Sequence, residues 1–239
     1  LGAYGNSFLL QAVGQDMLTL NPKLTAASRR NFQQESLQAG RRIISIFLWE
    51  VAGNDLITLS DLKSDGPSAA KATTAFLRVP LGNPAKYTIL SPLPPDPDIA
   101  LYRLGNPLIA SVGSTAYILN PEGRVGILEN QAGSHDLRPL EAFPQGFDLP
   151  PLIPTFKTSD DYPGIMRIVE RSAMPVGLYS SGGSLFVLTR RPVPGGTDWG
   201  LSKIDPVKDR LIGTTHLPTT APHLTVVPGP DYWAFLEKG

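Results

Sequence analysis

The 239-residue sequence predicts an all-β fold assembled from repeated antiparallel units. Three observations carry this reading. Short β-branched and aromatic runs follow one another along the chain, each bounded by Gly, Pro, Asn or Asp. A loose phrase recurs, in which a Gly-centred turn leads into a β-rich run that ends in Asn, Asp or Ser beside Pro or Asp. Helical signal is confined to two windows without breakers, Asn31 to Gln38 and Ser68 to Thr74, each too short for a stable isolated helix and expected as a loop or single turn. Parallel sheets need crossover helices, so their absence from the pattern points to antiparallel pairing.

The phrase reads Val13-Gly14-Gln15-Asp16-Met17-Leu18-Thr19-Leu20-Asn21-Pro22 and again Val112-Gly113-Ser114-Thr115-Ala116-Tyr117-Ile118-Leu119-Asn120-Pro121. Weaker copies start at Gly53 and Gly183, the latter split by an insertion before Ser202-Lys203-Ile204-Asp205-Pro206. With Gly229 added, the anchoring glycines recur at intervals of about 40 to 70 residues, and a four-stranded propeller blade takes about 40 to 50. The expectation is a single β-propeller domain over residues 1–239, of about six four-stranded antiparallel blades. The phrases at Gly14 and Gly113 should then occupy equivalent positions in different blades.

In chain order the strands are expected at Phe8–Ala12, Met17–Leu20, Ile43–Val51, Leu56–Leu59, Thr74–Val79, Tyr87–Leu90, Ile99–Leu104, Leu108–Val112, Ala116–Leu119 and Val125–Leu128. They continue at Ile165–Glu170, Val176–Tyr179, Leu185–Arg190, Leu201–Ile204, Leu211–Thr215, Leu224–Val227 and Tyr232–Leu236. Pro falls at strand ends, where its missing N–H does no harm. Alternation with small or polar neighbours makes Leu18, Leu20, Ile57, Leu59, Tyr117, Leu119, Phe186 and Leu188 the expected core. Two segments leave the repeat. Residues 131–164 are Pro-rich and carry Phe143, Phe147, Phe156 and Tyr162, while 192–200 (PVPGGTDWG) reads as a protruding connection with Trp199 near its end. Long loops on a rigid scaffold are where binding function resides.

Composition excludes several classes. Lys+Arg and Asp+Glu are both 21, so the net charge is zero and no overall field draws nucleic acid or anionic lipid. The pairs Arg29-Arg30, Arg41-Arg42 and Arg190-Arg191 read as solvated strand ends. Cysteine is absent, which removes disulfides, thiolate catalysis and Cys-based metal sites. The longest apolar run, Ile43 to Val51, is broken by Ser45 and Glu50 and is far shorter than the roughly 20 residues of a membrane helix. No transmembrane segment is therefore expected, and membrane association would come only through a partner. The chain opens Leu-Gly-Ala-Tyr with neither Met nor a leader pattern, and reads as a processed or trimmed form.

The phrases Leu18-Thr19-Leu20-Asn21-Pro22-Lys23-Leu24 and Ala116-Tyr117-Ile118-Leu119-Asn120-Pro121-Glu122-Gly123-Arg124-Val125 carry a resemblance. In them a strand ends in Asn, turns through Pro, and the next strand leaves. The chain resembles the six-bladed β-propellers of the NHL and TolB-like type. That resemblance implies an extracytoplasmic, for instance periplasmic, setting. It also makes Asp16, Asn54 and Asp231 conceivable as ligands of a metal in a propeller channel, as in the lactonase-type members. The last blade is expected either to be completed by N-terminal residues, with residues 1–10 as the candidate closing strand, or to stay incomplete.

No convergent catalytic set is legible. Ser134-His135-Asp136 lists triad residue types side by side, but a working triad needs them to converge from separate segments. His135, His216 and His223 read as strand-end or loop histidines. The acidic groups Asp96 with Asp98, Asp160 with Asp161, and Asp205 with Asp209 read as turn caps rather than as a calcium site. The expectation is a non-catalytic scaffold without cofactor or metal, an accessory subunit that binds another protein of a membrane-associated complex. Its contacts are expected at Trp199, Phe143, Phe147, Phe156 and Tyr162, because large aromatics dominate binding energy. Two alternatives stand beside it: a metal-dependent hydrolase or lactonase acting in the channel, and a carbohydrate-binding β protein in which Trp49, Trp199 and Trp233 line one groove.

Overall fold

The computed structural model describes residues 2–4, 7–11, 16–21, 23, 26–64, 72–92, 106–119, 125–128, 137–144, 147, 162–229 and 232–238. The described strands form four four-stranded sheets and one two-stranded sheet, each following chain order. The first holds β1 (Gly2–Tyr4), β2 (Ser7–Gln11), β3 (Asp16–Leu20) and β4 (Ala26–Asn31), and the second β5 (Arg41–Ala52), β6 (Asp55–Ser64), β7 (Thr73–Pro80) and β8 (Thr88–Pro92). The third holds β9 (Ile109–Val112), β10 (Thr115–Leu119), β11 (Val125–Leu128) and β12 (Arg138–Pro139). The fourth holds β13 (Met174–Ser181), β14 (Ser184–Val193), β15 (Gly196–Asp205) and β16 (Arg210–His216), and the last β17 (His223–Pro228) and β18 (Trp233–Lys238). The expected all-β class with antiparallel four-stranded units is therefore present. The chain divides into two compact units, one built on β1 to β8 and the other on β9 to β18.

Glycine makes the tight turns between first and second strands. Gly182 and Gly183 both have positive φ, 54° and 73°, in the two-residue loop between Ser181 and Ser184. Gly53 (φ 61°) and Gly113 (φ 62°) stand at the same place in their own sheets. L-residues rarely adopt this region, and its twist matches that of the flanking strands.

In the first unit, Met17, Phe32, Ile43, Ile46, Leu56, Leu62, Leu77 and Val79 close a core against which Trp49 packs. Phe32 opens a single helical turn, Phe32–Glu35, whose cap Asn31 accepts from the Gln34 backbone N–H at 2.9 Å. The Asn31–Gln38 window thus forms the short turn expected of it. The Arg30 guanidinium donates to Glu35 and to the Leu81 carbonyl, joining the end of β4 to the loop after β7. Asp16 is buried and accepts from Arg29 Nε at 2.8 Å and Asn31 Nδ2 at 2.9 Å. The Arg29 hydrogen bond holds its carboxyl below the usual carboxylate range against the opposing effect of burial.

In the second unit, β9 lies beside β13, and β13 beside β17. Asn106, 3% exposed, ties the group. Its Nδ2 donates to the Leu224 carbonyl at 2.9 Å, and its Oδ1 accepts from the Tyr179 hydroxyl at 2.6 Å and the Val226 N–H at 3.3 Å. Burial pushes the Tyr179 phenol up, so it stays a donor. The Leu178 N–H adds a bond to the Pro107 carbonyl at 2.7 Å. A Cβ on Gly177 would sit 2.9 Å from the Tyr179 hydroxyl and 3.0 Å from Asn106 Cβ, so glycine at 177 admits this close approach.

Several expectations are corrected. The segment 165–170, read as a strand, belongs to the helix Tyr162–Glu170. Ile165, Ile168 and Val169 stand at i, i+3 and i+4, one helical face, and Pro163 is tolerated in a first turn. The Gly14 and Gly113 phrases are not equivalent: Met17–Leu20 lies in a third strand and Ala116–Leu119 in a second. The Gly53 and Gly183 phrases do match that at Gly113, with Gly229 in the corresponding β17–β18 turn. The N-terminal strands β1 and β2 pair within their own sheet rather than with β18. The connection expected at 192–200 shrinks to Pro194-Gly195, because Val193 already pairs with Gly196 and Pro192 with Thr197. Leu18, Leu20 and Phe186 are only half-buried, whereas Ile57, Leu59, Tyr117, Leu119 and Leu188 are buried. The expected strand Ile99–Leu104 lies outside the described residues, and β1, β4 and β12 escape the sequence reading.

Asn106→Ala leaves the Tyr179 hydroxyl and Val226 N–H without their buried acceptor, and should lower unfolding stability by about 2 to 4 kcal/mol in urea titration. Because the folded carboxyl of Asp16 is depressed, its contribution is fully present above its ordinary value of about 3.8 and lost as pH falls through the lower folded value. Stability measured from pH 5 down to pH 2 should therefore fall more steeply in the wild type than in Asp16→Asn.

Candidate binding cleft

Strand alternation places every second residue of β14, β15 and β16 on one face of the fourth sheet. Thr189 pairs with Gly200 and Arg191 with Asp198; across the next ladder Gly200 pairs with His216 and Ser202 with Thr214. These residues, with Leu211, floor an open cleft of about 320 Å³ walled by Pro144 and Phe147. Gly200 keeps the floor hollow, since a Cβ there would meet Thr189 Oγ1 at 2.8 Å. The wall is pinned beside the β15–β16 turn: the Asp209 carboxylate accepts from the backbone N–H of Ala142 at 2.8 Å and of Glu141 at 3.1 Å.

The cleft combines an apolar wall with three polar devices. The Arg191 guanidinium lies 5.4 Å from the centre of the Phe147 ring, within range of a cation–π contact. His216 Nδ1 is 3.0 Å from Asp198 Oδ1, leaving the exposed edge of the imidazole toward solvent. The Ser202 and Thr214 hydroxyls bond each other at 2.8 Å, and Thr189 Oγ1 donates to the Gly200 carbonyl at 3.1 Å. A hydroxyl, an imidazole and a carboxylate thus line one face, but the fully buried Ser202 is engaged by Thr214 rather than by His216. Nucleophilic activation requires the base to hold the nucleophile's proton.

The opposite face of the same sheet is core. Trp199 does not protrude: it is 2% exposed, lies within β15, and packs with Met174, Val176, Leu188, Leu224 and Val226. Its indole N–H donates to the Ala221 carbonyl at 2.8 Å, and Arg190 stands 5.8 Å from its ring. The early Pro194-Gly195 turn is the physical reason, because it brings 196–200 into the ladder with Trp199 facing inward. Trp233 packs against that core, 5.9 Å from the Tyr179 ring and 4.7 Å from Phe186, and Trp49 packs on the core of the first unit. The indoles are used for packing.

Of the aromatics of segment 131–164, Phe147 reaches the cleft and Phe143 is half-buried just before its wall. Tyr162 opens the helix, and Phe156 lies outside the described residues. Sequence reading missed Arg191, Asp198, Leu211 and Thr214 as neighbours and left His216 unassigned. Their signal is the period of two in Thr189/Arg191, Asp198/Gly200/Ser202 and Thr214/His216, which acquires meaning only once three strands are in register.

Among the described residues no group of three His, Asp or Glu side chains is arranged to hold a metal. Arg29 and Asn31 engage Asp16; Asn54 sits at a hairpin tip with its carbonyl accepting from Leu81; Asp231, His135 and Asp136 lie outside the described residues. Asp205 caps its turn, accepting from the Val207 and Lys208 N–H groups at 3.1 Å each. No described helix is long and apolar enough to cross a membrane. No family model matches the chain, and no curated protein is significantly similar to it.

Trp199→Ala should lower unfolding stability by about 3 to 5 kcal/mol, the range for truncating a buried aromatic, as read by thermal or urea denaturation. A loss below about 1 kcal/mol would place the indole at the surface instead.

Proposed function

We propose that this chain is a non-catalytic scaffold of the β-propeller type that binds another protein through the cleft on its fourth sheet. The observation that carries the reading is the cleft itself. Phe147, Pro144 and Leu211 provide apolar contact, and Arg191, Asp198 and His216 provide charge and hydrogen-bonding groups, on a floor where Ser202 bonds Thr214 and Thr189 bonds the Gly200 carbonyl. Buried aromatic and arginine anchors with a polar surround are the composition of binding hot spots. The propeller part rests on the succession of chain-ordered antiparallel sheets whose first strands are neighbours, β1 with β5 in one unit, β9 with β13 and β13 with β17 in the other. Neighbouring inner strands are what blades around an axis require. The setting implied by the resemblance to NHL and TolB-like propellers is extracytoplasmic, as an accessory subunit of a membrane-associated assembly.

Affinity-tagged protein from its native source, compared with Phe147→Ala and Asp198→Ala, tests this reading. A specific protein should be retained by the wild type and lost from both variants, with unfolding free energies within about 1 kcal/mol of wild type because both side chains are partly exposed. Equal retention by all three would remove the cleft as the binding surface.

A further inference from the structure

Asp209 stands in the left-handed region, at φ 46°, in the turn between β15 and β16. Among residues with side chains Asn and Asp visit that region most readily, and glycine enters it freely. The turn does not need this carboxylate for its own closure. Asp205 closes it, accepting from the Val207 and Lys208 N–H groups at 3.1 Å each. The Asp209 side chain turns instead to a segment 67 and 68 residues earlier, where Oδ1 accepts from the Ala142 N–H at 2.8 Å and Oδ2 from the Glu141 N–H at 3.1 Å. Arg138 Nη1 stands 3.9 Å from Oδ2.

That segment leaves β12 toward the cleft wall, and its backbone donors can be followed one by one. The Leu140 N–H donates to the Val125 carbonyl and the Phe143 N–H to the Glu141 carbonyl, each at 2.8 Å, so both bonds stay with the third sheet and its exit. The two N–H groups between them end on Asp209. Among the described residues these two are the hydrogen bonds that join 140–144 to the fourth sheet. Pro144 and Phe147 follow, with the Phe147 ring 5.4 Å from the Arg191 guanidinium.

We propose that Asp209 is the positioning residue of the cleft: although absent from its lining, it sets where Pro144 and Phe147 stand over the floor. Its consequence for binding rests on the reading of the cleft as the binding surface. A carboxylate is what the position requires, because two adjacent N–H groups take one oxygen each, and bonds to a charged acceptor are the stronger kind. Asn offers one acceptor oxygen and Gly none. Gly suits the backbone better, so a role confined to the turn would rank the three residues in the opposite order.

Hydrogen exchange and NMR of the purified chain test this without any partner. In Asp209→Gly the amides of 141 and 142 should exchange at least about tenfold faster than in the wild type, while the β15–β16 ladder keeps its protection. The Arg191 Nε–H resonance should lose the ring-current shift that Phe147 gives it. Asp209→Asn should free one of the two amides and keep the other. Wild-type exchange at both amides in Asp209→Gly overturns the proposal, as does faster exchange with the Arg191 resonance unmoved. Should the Gly variant loosen the whole ladder, the Asn variant decides: wild-type exchange at both 141 and 142 overturns the proposal. A protein that the tagged chain retains and Phe147→Ala loses should be held at least about tenfold more weakly by Asp209→Gly, since the wall is no longer preorganised. Equal retention by Asp209→Gly overturns the positioning role, whereas retention by Phe147→Ala counts against the cleft as the binding surface and not against the hold of Asp209 on its wall.

Discussion

The second unit depends on one buried amide. Asn106 carries both a donor and an acceptor, and a Leu, Val or Ala in its place would pack but could not bond. Its Nδ2 holds the Leu224 carbonyl in β17, while Oδ1 holds the Tyr179 hydroxyl in β13 and the Val226 N–H. The segment leading into β9, and the first strands of the two following sheets, thereby share one polar centre. Sheets are joined through side chains only where backbone ladders cannot reach, and such a buried network is strong because no water competes for its groups. Gly177 is a consequence, since any larger residue would collide with Tyr179 and Asn106.

The fourth sheet separates core from cleft by the simplest rule a strand has. Residues at odd positions of β15 before the bulge, Trp199 and Leu201, enter the core; the alternate residues Asp198, Gly200 and Ser202 floor the cleft. Core and cleft therefore share the same backbone. Arg190 and Arg191 show the division most directly. Arg190 is 1% exposed, lies against Trp199 and donates from Nη2 to the carbonyl of Glu170 at the end of a helix, while its neighbour reaches Phe147. Burial weakens the hold of Arg190 on its proton, with the nearby Glu170 charge opposing. The packed core thus lies directly beneath the polar face of the cleft.

The repeat was legible where turns had their own chemistry. Gly53, Gly113 and Gly183 mark hairpins because a two-residue turn requires positive φ, and that requirement is local. The phrase at Gly14 shares the composition but leads into a third strand, because composition states that a turn occurs and not which turn of the sheet it is. The run 165–170 misled for a related reason. A short apolar segment satisfies period two and period three to four at once, and only its continuation from Tyr162 selects the helix.

By itself the sequence determined the class and most strand positions, since alternation, β-branched runs and glycine turns act over a few residues. It also excluded thiol and disulfide chemistry, through composition alone. Tertiary structure decided what each aromatic does. Trp199 and Phe147 both stood in Pro- and Gly-rich connections, yet one is buried in β15 and the other walls a cleft. That outcome depends on where Pro194-Gly195 closes the hairpin and on Asp209 holding 141–142 in place, contacts made by residues dozens of positions apart in part. The pairing of Asp198 with His216 is of the same kind: 18 residues separate them, and only the register of β15 against β16 brings the carboxylate to the imidazole.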